Sequence, residues 1–423
     1  MLPHRLISFF GLFVLMFLAW LVARDRKNIN FRLILTGLLI QCAFAFIIFR
    51  LPAGVVIFSW LNDAVLRVIS FAKEGIYFLF GPLAVGPGET GPMGETSPGF
   101  ILAFQVLPSI IFFSSLVSLL YFLNVVPALI RVFARIFTYL MRISGAEALC
   151  ASSNIFVGVE SALTVRPYIQ DMTRSELCTV LTAGMGTIAS TVLALYVGFL
   201  HQEFPSIAGH LISASVISAP AAIIMSKLVV PETEIPKTLG IAAEVQKDVR
   251  STTWVESIIN GANDGVKLCV GIITLLLAFL GLLSMCNWFL GFLGSKILGT
   301  DVSLQVILKY LYYPLTVVMG IPLQDAGHVA TLLGERTIVT EVVAYQHLNQ
   351  LIQAGTLTDT RSITVASYAL CGFAHVASLA IFVGGFSALA PARAKDLARL
   401  SFRALFAATF ACLMTGCVAG IFA

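Results

Sequence analysis

Eight stretches of this chain contain no Asp, Glu, Lys or Arg and are almost wholly apolar: residues 6–23, 33–49, 99–130, 177–202, 204–226, 268–295, 362–392 and 404–423. Crossing the hydrocarbon core of a bilayer takes about 20 such residues in a helix. Inside it, every backbone N–H and C=O must be satisfied within the structure. Repeated this often, the feature points to one fold class: an all-α polytopic membrane protein with eight transmembrane helices. Composition agrees, since 11% of the 423 residues are charged, against about 25% in soluble domains. The first stretch runs into Arg24-Asp25-Arg26-Lys27 without a small-residue cleavage site, so it is expected to be a retained span and not a signal peptide.

Most of the 26 Lys and Arg sit at alternate ends of these stretches. Arg24, Arg26, Lys27 and Arg32 follow the first, and Arg131, Arg135, Arg142, Arg166 and Arg174 follow the third. Lys227, Lys237, Lys247 and Arg250 follow the fifth; Arg393, Lys395, Arg399 and Arg403 separate the last two. By the positive-inside rule both termini face outward, in the cell's inner (plasma) membrane. The eight cysteines form no CxxC pair, which predicts packing and not a disulfide framework. Gly86-Pro87-Gly88-Glu89-Thr90-Gly91 matches GxGxxG, but no strand pattern precedes it, so it is no nucleotide fingerprint. Residues 50–98 read as a partly amphipathic helix with an exposed loop, 127–143 as a basic interfacial helix, and 231–253 as the long polar connection.

Two windows are neither clean spans nor loops. Residues 148–165 carry Glu160 in a polar middle; residues 310–334 are broken by Gly320-Ile321-Pro322 and carry Asp325. This pattern predicts re-entrant hairpins, whose irregular tips are tolerated where they line a cavity. Each is followed by a polar turn and then by a Gly-x-x-x-x-Ala-Ser sequence, Gly184–Ser190 ("GMGTIAS") and Gly372–Ser378 ("GFAHVAS"). The chain therefore repeats a hairpin plus an interrupted helix, in inverted sense, the arrangement that places a transporter's binding site near the midplane. The expected division is 1–143 (N-terminal scaffold spans and interfacial helix), 144–230 (first hairpin and interrupted helix), 231–304 (polar connection and scaffold span) and 305–423 (second hairpin, interrupted helix and final span).

"NIFVGVESALTVRPY", "MTRSEL", "PETE", "GERTIVTEVVAYQHL" and "SYALCGFAHVASLAIFVGGFSALAPARAKDLARL", in that order, resemble the concentrative nucleoside transporters over nearly the whole chain. The resemblance implies eight transmembrane helices with two opposed re-entrant hairpins, a homotrimer in the bilayer, and a transport domain moving against a scaffold. It implies sodium ligation by Asn154, Val157, Thr187 and Ile188, with a proton as the alternative coupling ion. It also implies a base-facing tip at Gly158-Val159-Glu160, where the Gln common in the family is missing. For the ribose side it implies Asp325, His375 and Ser378, with Phe373 beside them. On this alignment the family's second-hairpin acid is shortened to Asp and its Asn has become His, so altered selectivity among nucleosides is expected.

Ionisable residues inside the membrane default to functional hypotheses. Glu160 and Asp325 are expected to line the solute site, whereas Glu341 and Arg166 are read as structural pairs. His375 and Ser378, three apart, share a helical face and are expected to hydrogen-bond the solute, with Thr187 serving the ion. The function expected is a cation-coupled symporter importing nucleosides or related ribosylated solutes, without organic cofactor and without a nucleic-acid partner. The alternatives are a proton-coupled importer of another polyhydroxylated metabolite, a solute sensor, or an intramembrane enzyme. Against the enzyme, the sequence has no HExxH, no GxSxG and no histidine pair at helical spacing.

Overall fold

The computed structural model describes residues 2–423 except 24, 88, 159, 160, 242, 244–250 and 298–301. The base-facing residues Val159 and Glu160, and the basic residues Arg24, Lys247 and Arg250, thus lie outside the described residues. Among the described residues the regular elements are all helices. It opens with α1 (Leu2–Leu21), α2 (Phe31–Arg50), α3 (Pro52–Phe80), the single turn α4 (Leu102–Gln105) and α5 (Leu107–Phe122). A first series of six follows: α6 (Val125–Met141), α7 (Gly145–Asn154), α8 (Ser161–Val165), α9 (Arg174–Gly186), α10 (Ser190–Leu200) and α11 (Ile207–Val229). After the long α12 (Trp254–Ile297), a second series repeats that order: α13 (Leu304–Val318), α14 (Leu323–Ile338), α15 (Glu341–Gln353), α16 (Thr360–Leu370), α17 (Val376–Leu389) and α18 (Ala394–Phe422).

Local chemistry sets these boundaries. Ser144 with Glu147, and Thr173 with Glu176, form reciprocal capping boxes that start α7 and α9, each satisfying N–H groups a helix start leaves open. On α6 the buried residues Val126, Pro127, Ile130, Ala134, Phe137, Thr138 and Met141 recur at three- and four-residue spacing, the mark of a helix with one packed face. Arg131 and Arg135 are exposed on the other side.

Among the described residues eight helices are long and apolar enough to cross a bilayer. Seven overlap the charge-free stretches, but the eighth is Pro52–Ala84 and not 362–392. The latter is broken at residues 371–375 into helices of 11 and 14 residues. Burial sorts the spans: 94% of the best window in Arg174–Leu200 is buried, against 11% in Trp254–Lys296. The interrupted helix α9–α10 lies at the centre with α11, α16 and α18. By contrast, α17 is buried along one face only, at Ala377, Ser378, Phe382 and Phe386, and α3 and α12 are outermost.

The second hairpin differs from the sequence expectation. Gly320-Ile321-Pro322 is the turn between α13 and α14, where Gly320 takes a left-handed φ of 80°. A Cβ there would lie 2.2 Å from the Ser8 hydroxyl and 2.4 Å from the His4 carbonyl, so the glycine serves a close approach to α1. The two-residue tip matching the first series is Val339-Thr340, between α14 and α15. The shift matters because it changes which acid stands at the tip.

Candidate functional site

The two interrupted helices break where their backbones meet. After α9, Thr187 and Ala189 are extended; after α16, so is His375. A Cβ on Gly372 would lie 2.5 Å from the Cys412 sulfur and 3.1–3.2 Å from the carbonyl group of Gly186. Only a residue without a side chain lets the breaks approach this closely.

At the first break, oxygens gather. The Thr187 hydroxyl donates to the Ala183 carbonyl at 3.0 Å and reaches the Asn154 carbonyl, the last of α7, at 3.3 Å. The Asn154 side chain donates to the Cys150 carbonyl and accepts from the Ser161 hydroxyl at 3.0 Å, tying the two arms of the first hairpin. The Ile188 carbonyl accepts from Ser215 at 3.3 Å. Asn154, Val157, Thr187 and Ile188 are all buried. Of the expected cation ligands, the structure brings Asn154 and Thr187 into contact, with the Ile188 carbonyl next in the chain. Neutral oxygens of this kind suit a hard cation, and helix C-termini at broken helices carry the matching partial negative charge.

At the second break, charge replaces neutral oxygen. Glu341, the first residue of α15, is buried, with a side-chain exposure of 3%. Its Oε1 accepts from the Tyr196 hydroxyl of α10 at 2.8 Å, and its Oε2 lies 3.2 Å from His375 Nε2. His375 Nδ1 accepts from the Ser378 backbone N–H at 3.2 Å, capping α17. A ring nitrogen that accepts carries no proton, so the His375 hydrogen sits on Nε2, facing Glu341. The Ser378 hydroxyl donates to the His375 carbonyl at 2.6 Å. Phe373, half-buried, stands edge-on to the His375 ring with centroids 6.4 Å apart. The Tyr345 ring packs on Tyr196 at 4.5 Å. Glu341 Oε2 and the Thr340 hydroxyl are buried without an aligned hydrogen-bond partner.

One sequence expectation needs correction here. Asp325 sits in the first turn of α14, where its carboxylate accepts from the Ser362 hydroxyl at 2.6 Å; the acid against His375 is Glu341. Glu341, read from sequence as a structural pairing, meets Tyr196 and His375. Sequence reasoning missed this because it put the hairpin tip at the Gly-Ile-Pro break, where helix-breaking residues concentrate. The available signal was "TE" opening "TEVVAY", a buried-type acid at the first turn of an apolar helix. All eight cysteines are free. No group of three His, Cys, Asp or Glu suited to a metal occurs among the described residues.

Comparison with known proteins gives a consistent result. Residues 210–420 match the family model described as the C-terminus of the Na⁺-dependent nucleoside transporters, residues 10–83 its N-terminus, and residues 103–203 the "Gate" nucleoside-recognition model. The chain is 36% identical over 99% of its length to solute carrier family 28 member 3 of Mus musculus, spanning 59% of that protein. It is 36% identical to a Haemophilus influenzae protein named only as a transporter, covering 98% of this chain and 97% of that one. Among solved structures, CNTnw in an inward-facing substrate-bound state superposes with a TM-score of 0.88 at 35% identity, covering 100% of this chain and 99% of that one.

Proposed function

The chain belongs to the concentrative nucleoside transporter family, and from that premise we propose that it is a sodium-coupled symporter importing nucleosides or closely related ribosylated solutes. Its all-helical fold and apolar helices are those of a multi-pass membrane protein. The finer architecture belongs to the proposal: eight spans, two inverted re-entrant hairpins (α7–α8 and α14–α15), a homotrimer, and residence in the inner membrane. In it, α7–α11 and α14–α18 carry cation and solute across.

The observation that carries this reading is the contrast between the breaks: an uncharged oxygen cluster at one, a buried carboxylate with an open acceptor at the other. Asn154, Val157, Thr187 and Ile188 would hold the cation through oxygens. One monovalent ion descending about 100 mV supplies about 2.3 kcal/mol, nearly fifty-fold accumulation. Glu341 takes the role first given to Asp325. Its Oε2 is placed to accept from a sugar diol, and charge-assisted hydrogen bonds are the strong kind. His375 Nε2–H can donate to the same hydroxyls and the Ser378 oxygen can accept from them, with Phe373 closing one side. Val159 and Glu160 remain assigned to the base by resemblance.

The test is uptake of labelled nucleosides into liposomes holding the purified protein under imposed gradients. Saturable accumulation driven by inward sodium is expected. Accumulation that ignores sodium and follows a proton gradient, or flux that never exceeds equilibration, would reject the assignment.

A further inference from the structure

Arg336, in the last turn of α14, is fully buried, with 0% exposure, deep in the centre of the molecule. It is in no ion pair with an acid among the described residues, and its Nε and Nη2 are buried without hydrogen-bond partners. Such a charge is costly to bury, so its position calls for a cause. A hydrogen bond supplies it: Nη1 donates to the Ala369 carbonyl at 2.5 Å. Ala369 lies in the last turn of α16, next to the second break.

A helix that stops leaves four carbonyls without intrahelical donors, and within a membrane no bulk water replaces them. For α16 all four are accounted for. Ser367 accepts from the Tyr345 hydroxyl at 2.7 Å, Tyr368 from Cys371 N at 3.2 Å, Ala369 from Arg336, and Leu370 from Gly372 N at 2.8 Å. The equivalent end of α9 has thinner cover. The Thr187 hydroxyl meets the Ala183 carbonyl, and the Cys412 thiol lies 3.7 Å from the Gly186 carbonyl. No lysine or arginine donates there among the described residues. Each repeat thus has the same corner, where the hairpin's first arm ends beside the end of the interrupted helix. In the first repeat the corner presents open oxygens; in the second it holds a guanidinium.

We propose that Arg336 is a resident cation that does for the second break what the transported cation does for the first, so that each chain binds one cation, at the first break alone. The proposal rests on the sodium-coupled reading above. The guanidinium neutralises the C-terminal end of α16, as a cation at a helix C-terminus does, and balances Glu341 five residues on. The second break is then electrically complete before any ion arrives, and a second sodium meets no uncompensated charge. Arg336 is a positioning residue: it acts on the solute through Glu341 and the shape of the break.

The experiment is a joint measurement of sodium and solute flux in proteoliposomes, for the wild type, Arg336→Lys and Arg336→Gln. The wild type should carry about one sodium per solute, with a sodium activation slope near one. Arg336→Lys keeps the charge and should keep both values. Arg336→Gln should steepen the slope toward about two, or raise half-maximal sodium about tenfold. A mere structural cap would lower yield or melting temperature equally in both variants and leave sodium dependence alone. The proposal is overturned if the wild type carries two sodium ions per solute, a result independent of whether any variant folds. It is also overturned if the two variants share one sodium curve. Sodium-independent uptake by the wild type would instead reject the coupling itself, and the proposal with it.

Discussion

The two repeats differ in where they hold buried charge. In the first, charge gathers at the outer corner. Lys227 at the end of α11 meets Glu147 of α7 at 2.5 Å and Glu232 of the following segment at 3.2 Å. Glu232 also accepts from Thr173 at 2.9 Å, and the Gly145 N–H at the start of α7 donates to the Thr238 carbonyl at 2.9 Å. Among the described residues, the break of that repeat carries no charged side chain. In the second repeat the outer corner is tied by hydrogen bonds without an ion pair among the described residues. Asp325 accepts from Ser362, and Arg361 donates to the Gly320 carbonyl and the Ser8 hydroxyl. Two further buried charges, Arg336 and Glu341, stand at the break. On the proposed reading, one repeat clamps its corner and leaves its break to the ion, and the other holds charge at its break for the solute.

The largest effect expected from breaking this pattern is at the clamped corner. Lys227→Met leaves the buried Glu147 carboxylate and the partly exposed Glu232 without the cation they share. Removing one partner of a buried pair costs about 3–5 kcal/mol. The apparent melting temperature in detergent should fall clearly, whereas Asp325→Asn, whose amide oxygen still accepts from Ser362, should melt close to wild type. Equal losses in the two variants would mean that the corners do not differ in kind.

Next comes the charged break. Glu341→Gln keeps size and removes charge assistance, worth about 1.5–3 kcal/mol for bonds to a charged group, or roughly ten- to hundred-fold in half-saturating solute. Asp325→Asn should change it by no more than about twofold. The pair of uptake curves decides between the acids: a larger loss for Asp325→Asn would return the solute contact to the position chosen from sequence.

The neutral break should respond in the other variable. Thr187→Val deletes one hydroxyl oxygen while leaving shape, and a single neutral hydrogen-bonding group is worth about 1 kcal/mol. Half-maximal sodium should rise about fivefold, with solute affinity at saturating sodium unchanged. If sodium dependence stays put and solute affinity moves, the two breaks have been assigned in reverse.

How much of this was legible beforehand depended on whether a signal was local. The spans, the repeat and the two Gly-x-x-x-x-Ala-Ser breaks could be read because apolar runs and helix breakers act over a few residues. Asn154, Thr187, His375 and Ser378 could be placed because they lie in or beside the repeated segments. The tip of the second hairpin could not, since Gly320 and Pro322 look like a tip but make an interhelical turn against α1. That reason shows only in the close contact with Ser8 and His4. Hydropathy alone makes window 362–392 one span; its break was legible only from the repeated Gly-x-x-x-x-Ala-Ser pattern. The partners of Glu341 come from positions 145 and 34 residues away along the chain, and no spacing rule links them.

Tyr196 carries the smallest effect and the finest test of the comparison, because it is the first repeat's contribution to the second repeat's site. Its hydroxyl donates to Glu341 Oε1 at 2.8 Å, while its ring packs on Tyr345. Tyr196→Phe keeps the ring contact and leaves one carboxylate oxygen unsatisfied, which should lower stability by about 1 kcal/mol. Affinity is a difference between bound and free states, and this hydrogen bond is made to the oxygen turned away from His375. It should persist in both states and largely cancel, leaving about a twofold change in half-saturating solute. A tenfold loss without a matching drop in melting temperature would show that the Tyr196 hydroxyl leaves Glu341 for the solute. The first repeat would then bind solute as well as ion, and the division of labour between the two breaks would fail.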